Sequence, residues 1–515
     1  MSTPKQFKRT ATLMGSALIA AALTLPAHAA SAHSPLVIQT QSGAIKGASK
    51  DQVNHWLGIP YAAPPVGKLR WQAPKSVKAW QGIKTTTHFG DICMQTPPPK
   101  GPEAKLKNQP MSENCLTLNV WQPSGTDKNA KLPVMVWIHG GAFRLGATSM
   151  PLYNGTHLAK KGVIVVTMNY RLGPLSVFPH PALVKEDAHQ ALNFGLLDQI
   201  AALKWVKNNI RQFGGNPDNV TLWGESAGGA SVGYLLQSPQ SKGLFAKAIM
   251  ESGALALPEF TTQQASENVT HELPKSVLDK TPAQLRAISA KELLKLPLAK
   301  TATMPIIDGV SLKEKTQQAI ASGHYHQVPL LIGSNNYEAG FFPPAWAASV
   351  PKKLGSLWQQ AQALTDGYGT GKASLKAAQL ATDMFATATT EHFATSASHY
   401  APTWRYYFSY VTPPHRKTIP GAIHTSEIPY VFGNLNGQMK PVTEQDKDLS
   451  KLMMQRWVHF AKTGNPNPTS LAHWPKWQEG KPTLWSINNN GEKAISEPGK
   501  ARLEFIHAHS NIQMN

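Results

Sequence analysis

The stretch Val220-Thr221-Leu222-Trp223-Gly224-Glu225-Ser226-Ala227-Gly228-Gly229 decides how the rest of this 515-residue chain is read. A short apolar run stops at a glycine, and Gly224-Glu225-Ser226-Ala227-Gly228 then spells G-x-S-x-G. That pattern describes a sharp strand-to-helix turn in which flanking glycines avoid a clash, so the serine hydroxyl is pushed into the open at a helix N-terminus. Alone it is weak: with Gly and Ser each near 7% of residues, a chain this long contains one by chance in roughly one case in five. Here an apolar strand precedes it and a helix-compatible stretch, residues 231–238, follows. That is the context the chemistry requires.

Upstream, residues 132–138 form an apolar run bounded by His139-Gly140-Gly141, and residues 162–168 form another that leads into Asn169-Tyr170-Arg171. Short, continuously apolar strands read as parallel strands covered by helices on both faces. Between the last of them and Val220, residues 190–213 place Leu192, Leu196, Leu197, Ile200, Leu203, Val206 and Ile210 at helical spacing. Strand, helix, strand predicts a doubly wound α/β core. Further strands are expected at residues 247–250, 327–333 and 403–411. The polar, helical intervals 258–300 and 345–397 are expected to roof the site at the strands' C-terminal edge. No linker separates domains, so residues 30–515 are expected to fold as one.

An acyl-transfer serine needs donors aimed at the developing oxyanion. His139-Gly140-Gly141-Ala142-Phe143 follows a strand, and its small residues let backbone N–H groups face a substrate; the N–H of Ala227 would complete the hole. The general base must be a histidine, and the order in such folds is Ser, acid, His. His424, in the turn-like Pro420-Gly421-Ala422-Ile423-His424-Thr425, suits a loop-borne base; His415 is the alternative, and His459 lies in a helical run. For the acid, Glu338 follows a strand, and Asp308 in Ile307-Asp308-Gly309 competes as a turn residue.

Composition agrees with a folded protein: 41% hydrophobic residues, 16% charged, and 14 Trp. The formal charge is +20, but the lysines are scattered singly, which argues against nucleic acid and for a basic exported protein that attracts anions. Lys5, Lys8 and Arg9 precede an uncharged segment, residues 11–25, and Ala27-His28-Ala29. This reads as a signal peptide, residues 1–29, cleaved near Ala30. The uncharged segment falls short of the roughly 20 residues of a membrane span. The mature chain is therefore expected to be secreted or periplasmic. Its two cysteines, Cys93 and Cys115, then read as a disulfide contributing on the order of 3 kcal/mol. Their spacing suits no metal, and the chemistry requires neither metal nor cofactor.

Together these residues resemble the type-B carboxylesterases, a family that includes cholinesterases and bacterial para-nitrobenzyl esterases. The resemblance runs from Gly58-Ile59-Pro60-Tyr61-Ala62 and Gly67-Lys68-Leu69-Arg70-Trp71 through Glu113-Asn114-Cys115-Leu116-Thr117-Leu118-Asn119-Val120, His139 to Phe143 and Asn169-Tyr170-Arg171. It continues through Asn193-Phe194-Gly195-Leu196-Leu197-Asp198-Gln199, Phe213-Gly214-Gly215-Asn216-Pro217 and Gly224 to Gly229. It implies an α/β-hydrolase fold, a triad of Ser226, Glu338 and His424, and oxyanion donors Gly141, Ala142 and Ala227 supported by Gly140. It also implies that Cys93 and Cys115 form the family's first disulfide, and that Arg70 with Glu113, and Arg171 with Asp198, are structural ion pairs. Departures are Ala339, where the family usually has Gly, the absence of the later disulfides, and a short interval between Ser226 and Glu338.

The loop between the cysteines, residues 94–114, contains no Phe, Tyr or Trp and carries Lys100, Lys105 and Lys107. It lacks the ring that cholinesterases offer a quaternary ammonium, so small neutral or anionic esters are the expected substrates. Phe143 is expected to line the acyl pocket. The competing readings are a lipase acting at interfaces, separated by comparing soluble with emulsified substrate, and a non-catalytic binding protein on the same fold. The second typically lacks the Ser or His that this chain keeps.

Overall fold

Residues 132–138 are apolar throughout because both faces of that strand are covered. Val134, Val136 and Ile138 enter one hydrophobic cluster while Met135 and Trp137 enter another, the two-residue alternation of a strand buried on both sides. The next run repeats the split, with Ile164, Val166 and Met168 on one face and Val165 on the other.

The computed structural model describes residues 36–186, 191–298, 304–437 and 440–509. The expected signal peptide lies outside them. Within them, one sheet of eleven strands comprises β1 (Ala48–Lys50), β2 (Val53–Pro60), β3 (Thr117–Pro123), β4 (Leu132–Ile138), β5 (Ile164–Met168), β6 (Gly215–Glu225), β7 (Lys247–Glu251), β8 (Leu330–Asn335), β9 (Thr403–Phe408), β10 (Thr483–Asn488) and β11 (Gly491–Ser496). The spatial order is β11-β10-β9-β8-β7-β6-β4-β5-β3-β2-β1. The strands from β5 to β10 are mutually parallel, and antiparallel pairs complete both ends. This is the α/β-hydrolase architecture expected from sequence.

The order places a switch at the centre. From β4 the chain moves outward to β5, and from β6 it moves the opposite way to β7. Between the carboxyl ends of β4 and β6 the connections diverge and leave a crevice, the position where open α/β sheets bind ligands. His139-Gly140-Gly141 leaves β4 there, and Ser226 leaves β6.

Helix α1 (Phe194–Asn209) packs Leu196, Leu197, Ile200, Leu203 and Val206 into the first cluster. Helix α2 (Ala227–Gln237) starts four residues earlier than its sequence pattern suggests. Gly228 and Gly229 weaken helix propensity but are demanded by contact: a Cβ on Gly229 would stand 2.7 Å from Gly253 Cα. Strand β8 starts late because Pro329 has no N–H to give a ladder, and it runs two residues further, towards Glu338. The polar intervals form helices as expected, including Thr262–Glu272 in the first and α3 (Pro344–Ala348), α4 (Ala373–Thr382) and α5 (Ala388–Ser398) in the second. A third hydrophobic cluster joins that second roof to Ala339. The remaining long helices are α6 (Glu444–Thr463) and, near the C-terminus, α7 (Lys500–Ala508). Cys93 and Cys115 are joined in a disulfide. Among the described residues, no helix is long and apolar enough to cross a membrane.

Candidate active site

Ser226 sits between β6 and α2 with φ 56° and ψ −124°, a conformation costing a non-glycine residue on the order of 1–3 kcal/mol. The neighbourhood imposes it. Its N–H donates to Glu251 O at 3.0 Å, and its carbonyl accepts from Ala230 N–H at 2.7 Å, beginning the helix. A Cβ on Gly224 would stand 2.7 Å from Ile138 O, and one on Gly228 would strike that same oxygen. The two flanking glycines therefore exist for close approach to β4. Ser226 is half-buried among fully buried neighbours.

The loop after β4 lies against it, since a Cβ on Gly140 would be 3.0 Å from Ser226 Cβ. Gly141, Ala142 and Phe143 take φ 114°, 53° and 58°. Gly141 O accepts from the N–H groups of Arg144 and Leu145, both at 3.0 Å. Among the described residues, the N–H groups of Gly141, Ala142 and Ala227 donate to no backbone or side-chain acceptor. The loop is braced from two sides. His139 stacks on Tyr170, whose hydroxyl donates to His139 O at 2.9 Å, and burial lowers the His139 pKa to about 4, so the ring is neutral. Gln95, two residues from the disulfide, accepts from Gly146 N–H at 2.9 Å and donates to Gly146 O at 3.0 Å. Phe143 is buried, 6.2 Å from Tyr234 on α2, and its carbonyl accepts from Gly173 N–H at 2.7 Å.

His424 and Glu338 arrive from the strand ends on the other side of Ser226. The His424 Nδ1–H donates to Glu338 Oε2 at 2.6 Å. The other carboxyl oxygen accepts from Ser252 Oγ at 2.7 Å and from Asn335 N–H at 2.8 Å. Ala339 fits where glycine is customary because it lies in a short helical turn, Glu338–Phe341, at negative φ. His415 lies in the turn Pro413–His415. His459 Nδ1 is 2.8 Å from Asn465 O on the far helix α6. Asp308 accepts from the N–H groups of Leu192, Val310, Ser311 and Leu312, a loop-closing role. The structure brings Glu338 and His424 together and leaves these three elsewhere. Arg70 pairs with Glu113, and Arg171 pairs bidentately with Asp198 at 2.7 and 2.8 Å.

Two features escaped the sequence reading. The first is a set of buried acids. Glu225 Oε1 lies 3.3 Å from His424 Nε2 without hydrogen-bond alignment. Glu427 accepts from Asn335 Nδ2 at 2.6 Å, and Glu251 accepts from Trp457 Nε1 at 2.6 Å. Burial raises the pKa of all three, that of Glu427 to about 7. Burial lowers the His424 pKa, but Glu225 and Glu338 outweigh it and push the value up to about 9. The second is an aromatic wall. Phe341 and Phe342 stand 5.4 and 5.8 Å from His424, and Trp346 and Phe385 extend the wall outward. Aromatics three and four residues after the candidate acid were the available signal for that wall; the placement of Glu225 beside His424 was visible only in three dimensions.

The carboxylesterase family profile matches residues 34–506. A para-nitrobenzyl esterase of Bacillus subtilis (strain 168) is 41% identical over 473 residues, covering 86% of this chain and 93% of its own. A fumonisin B1 esterase of Sphingopyxis macrogoltabida is 36% identical over 513 residues, covering 93% and 92%. Among solved structures, a thermophilic PNB esterase matches with a TM-score of 0.79 at 38% identity, covering 91% of this chain and 99% of its own. Profile, relatives and structure agree over nearly the whole length, and the chain belongs to the carboxylesterase family as an α/β-hydrolase-fold enzyme that cleaves carboxylic esters.

Proposed function

We propose that Ser226 is the nucleophile of this esterase, with His424 as its general base and acid and Glu338 as the group that orients His424. His424 takes the Ser226 proton as Oγ attacks the ester carbonyl, then gives it to the departing alcohol; water repeats the sequence on the acyl-enzyme. Glu338 holds the imidazole with Nδ1 protonated, leaving Nε2 for the serine. The N–H groups of Gly141, Ala142 and Ala227 receive the oxyanion, each donor being worth about 10²–10³ in rate. The observation that carries this reading is the 2.6 Å bond from His424 Nδ1 to Glu338, with the opposite ring nitrogen turned towards the residue preceding Ser226. Phe143, buried beside the donor loop, borders the acyl side.

The substrate is a small carboxylic ester with an apolar alcohol, because the base is flanked by Phe341 and Phe342. Lys100, Lys105 and Lys107, all exposed, add attraction for esters bearing negative charge. The enzyme acts after export, with residues 1–29 removed and residues 30–515 as its single domain.

Ser226→Ala folds normally and loses at least about 10⁴ in kcat. Wild-type protein gives a burst of p-nitrophenol from p-nitrophenyl acetate that an organophosphate abolishes. Near-wild-type turnover by the alanine variant overturns the assignment.

A further inference from the structure

The outer part of the aromatic wall rests on an irregular piece of backbone. Between α4 and α5, residues Asp383–Thr387 form a π-helical turn, which inserts a residue into a helix and re-aims the side chains around it. Phe385 rides on that turn, with its ring 5.2 Å from Phe342 and 5.3 Å from Trp346. The turn is also bonded to the backbone of the site. Thr382 Oγ1, just before it, accepts from Ala339 N–H at 3.1 Å, one residue from Glu338. Phe385 O accepts from Ala256 N–H at 2.8 Å, in the segment that follows Ser252.

A π-helical turn is rare because its backbone geometry is less favourable than that of the α-helix it interrupts, so tertiary contacts must hold it. The contact here comes from the other end of the chain. Asp383, the first residue of the turn, is buried, and Arg502 on α7 donates to it from Nε to Oδ2 at 2.6 Å. Arg502 is itself buried. Phe505, one helical turn further on, packs into the cluster that holds Leu380, Ala381 and Met384 on the roof side of the same turn. One face of α7 thus supplies both a charge and a ring to the segment that carries Phe385.

We propose that α7 is a positioning element for substrate selection: Arg502, acting through Asp383, fixes the π-helical turn and so sets how far the Phe385 ring closes the pocket. This rests on His424 being the group that protonates the leaving alcohol, which makes the rings beside it the border of the alcohol side. Arg502 touches no substrate; it acts on selectivity from the C-terminal end of the fold.

The test compares benzyl acetate with ethyl acetate in wild type, Phe385→Ala, Arg502→Met, Arg502→Lys and Asp383→Asn, with active sites counted by the p-nitrophenol burst. Removing one aromatic contact lowers the benzyl-to-ethyl ratio of kcat/KM by about five- to tenfold. Phe385→Ala and Arg502→Met both show that drop, carried by the KM of the benzyl ester, and in Arg502→Met kcat for ethyl acetate is retained. Arg502→Lys restores part of the ratio. An unchanged ratio in Arg502→Met, or an equal fall for both esters with the burst intact, overturns the proposal. Should Arg502→Met not fold, Asp383→Asn decides, because it keeps the side-chain shape while removing the charge; a wild-type ratio there also overturns it. Near-wild-type turnover by Ser226→Ala would instead sink the assignment of Ser226, a separate outcome.

Discussion

Glu225 is the residue whose position says most about how His424 would work as the proposed base. It lies within 3.3 Å of His424 Nε2 yet makes no aligned hydrogen bond to it, so its influence is electrostatic. Burial lowers the His424 pKa, but Glu225 and Glu338 outweigh it and push it up to about 9; under the proposed mechanism His424 acts only when neutral, so kcat/KM rises with pH through that value. Glu225→Gln removes one negative charge from beside the ring. The acidic limb of the pH–rate profile should then move down by about 1–3 pH units, and a limb that stays in place would mean that Glu225 carries no charge in the working enzyme. Ser226 was legible in sequence because its chemistry is local, a glycine-flanked turn. Glu225 sits in the same motif, but its importance depends on where a loop some two hundred residues later places His424.

At the scale of elements, the decisive contact is the crossing of β4 and α2. Gly228 lets the first turn of α2 rest on the carbonyl of Ile138, where a Cβ would collide. Gly228→Ala therefore forces β4 and α2 apart, destabilising the fold by about 1–3 kcal/mol. Because the proposed donor loop begins at the residue after β4, ester turnover should fall with it; thermal unfolding and kcat measured together check this, and a wild-type melting temperature would contradict it. The strands were readable because burial on both sheet faces leaves an uninterrupted apolar signature, and α1 because its large apolar residues recur at helical spacing. The π-helical turn at Asp383–Thr387 was not readable. Its sequence is unremarkable as helix, and the contacts that hold it, among them the Arg502 bond to Asp383, come from segments far away in the chain.

For the whole molecule, the charge of +20, or +17 once Lys5, Lys8 and Arg9 leave with the expected leader (20 − 3), is a property no single site explains. Such a surplus attracts anions, and Lys100, Lys105 and Lys107 are exposed on the disulfide loop. Screening acts over about 8 Å at physiological ionic strength, so kcat/KM for an anionic ester should fall as salt rises while that for a neutral ester of equal size stays level; parallel behaviour of the two would remove the lysines from the account. The sequence by itself determined the fold class, the candidate nucleophile, the donor loop and the cysteine pair, because each is written in local pattern or spacing. It left the base open between His424 and His415, and the acid between Glu338 and Asp308, until family resemblance was added. Only the tertiary structure decided which of these meet, surrounded His424 with buried acids and aromatic rings, and tied the pocket to the C-terminal helix. Those are relations between residues far apart in the chain, and nothing local in a sequence encodes which distant segments come to share one crevice.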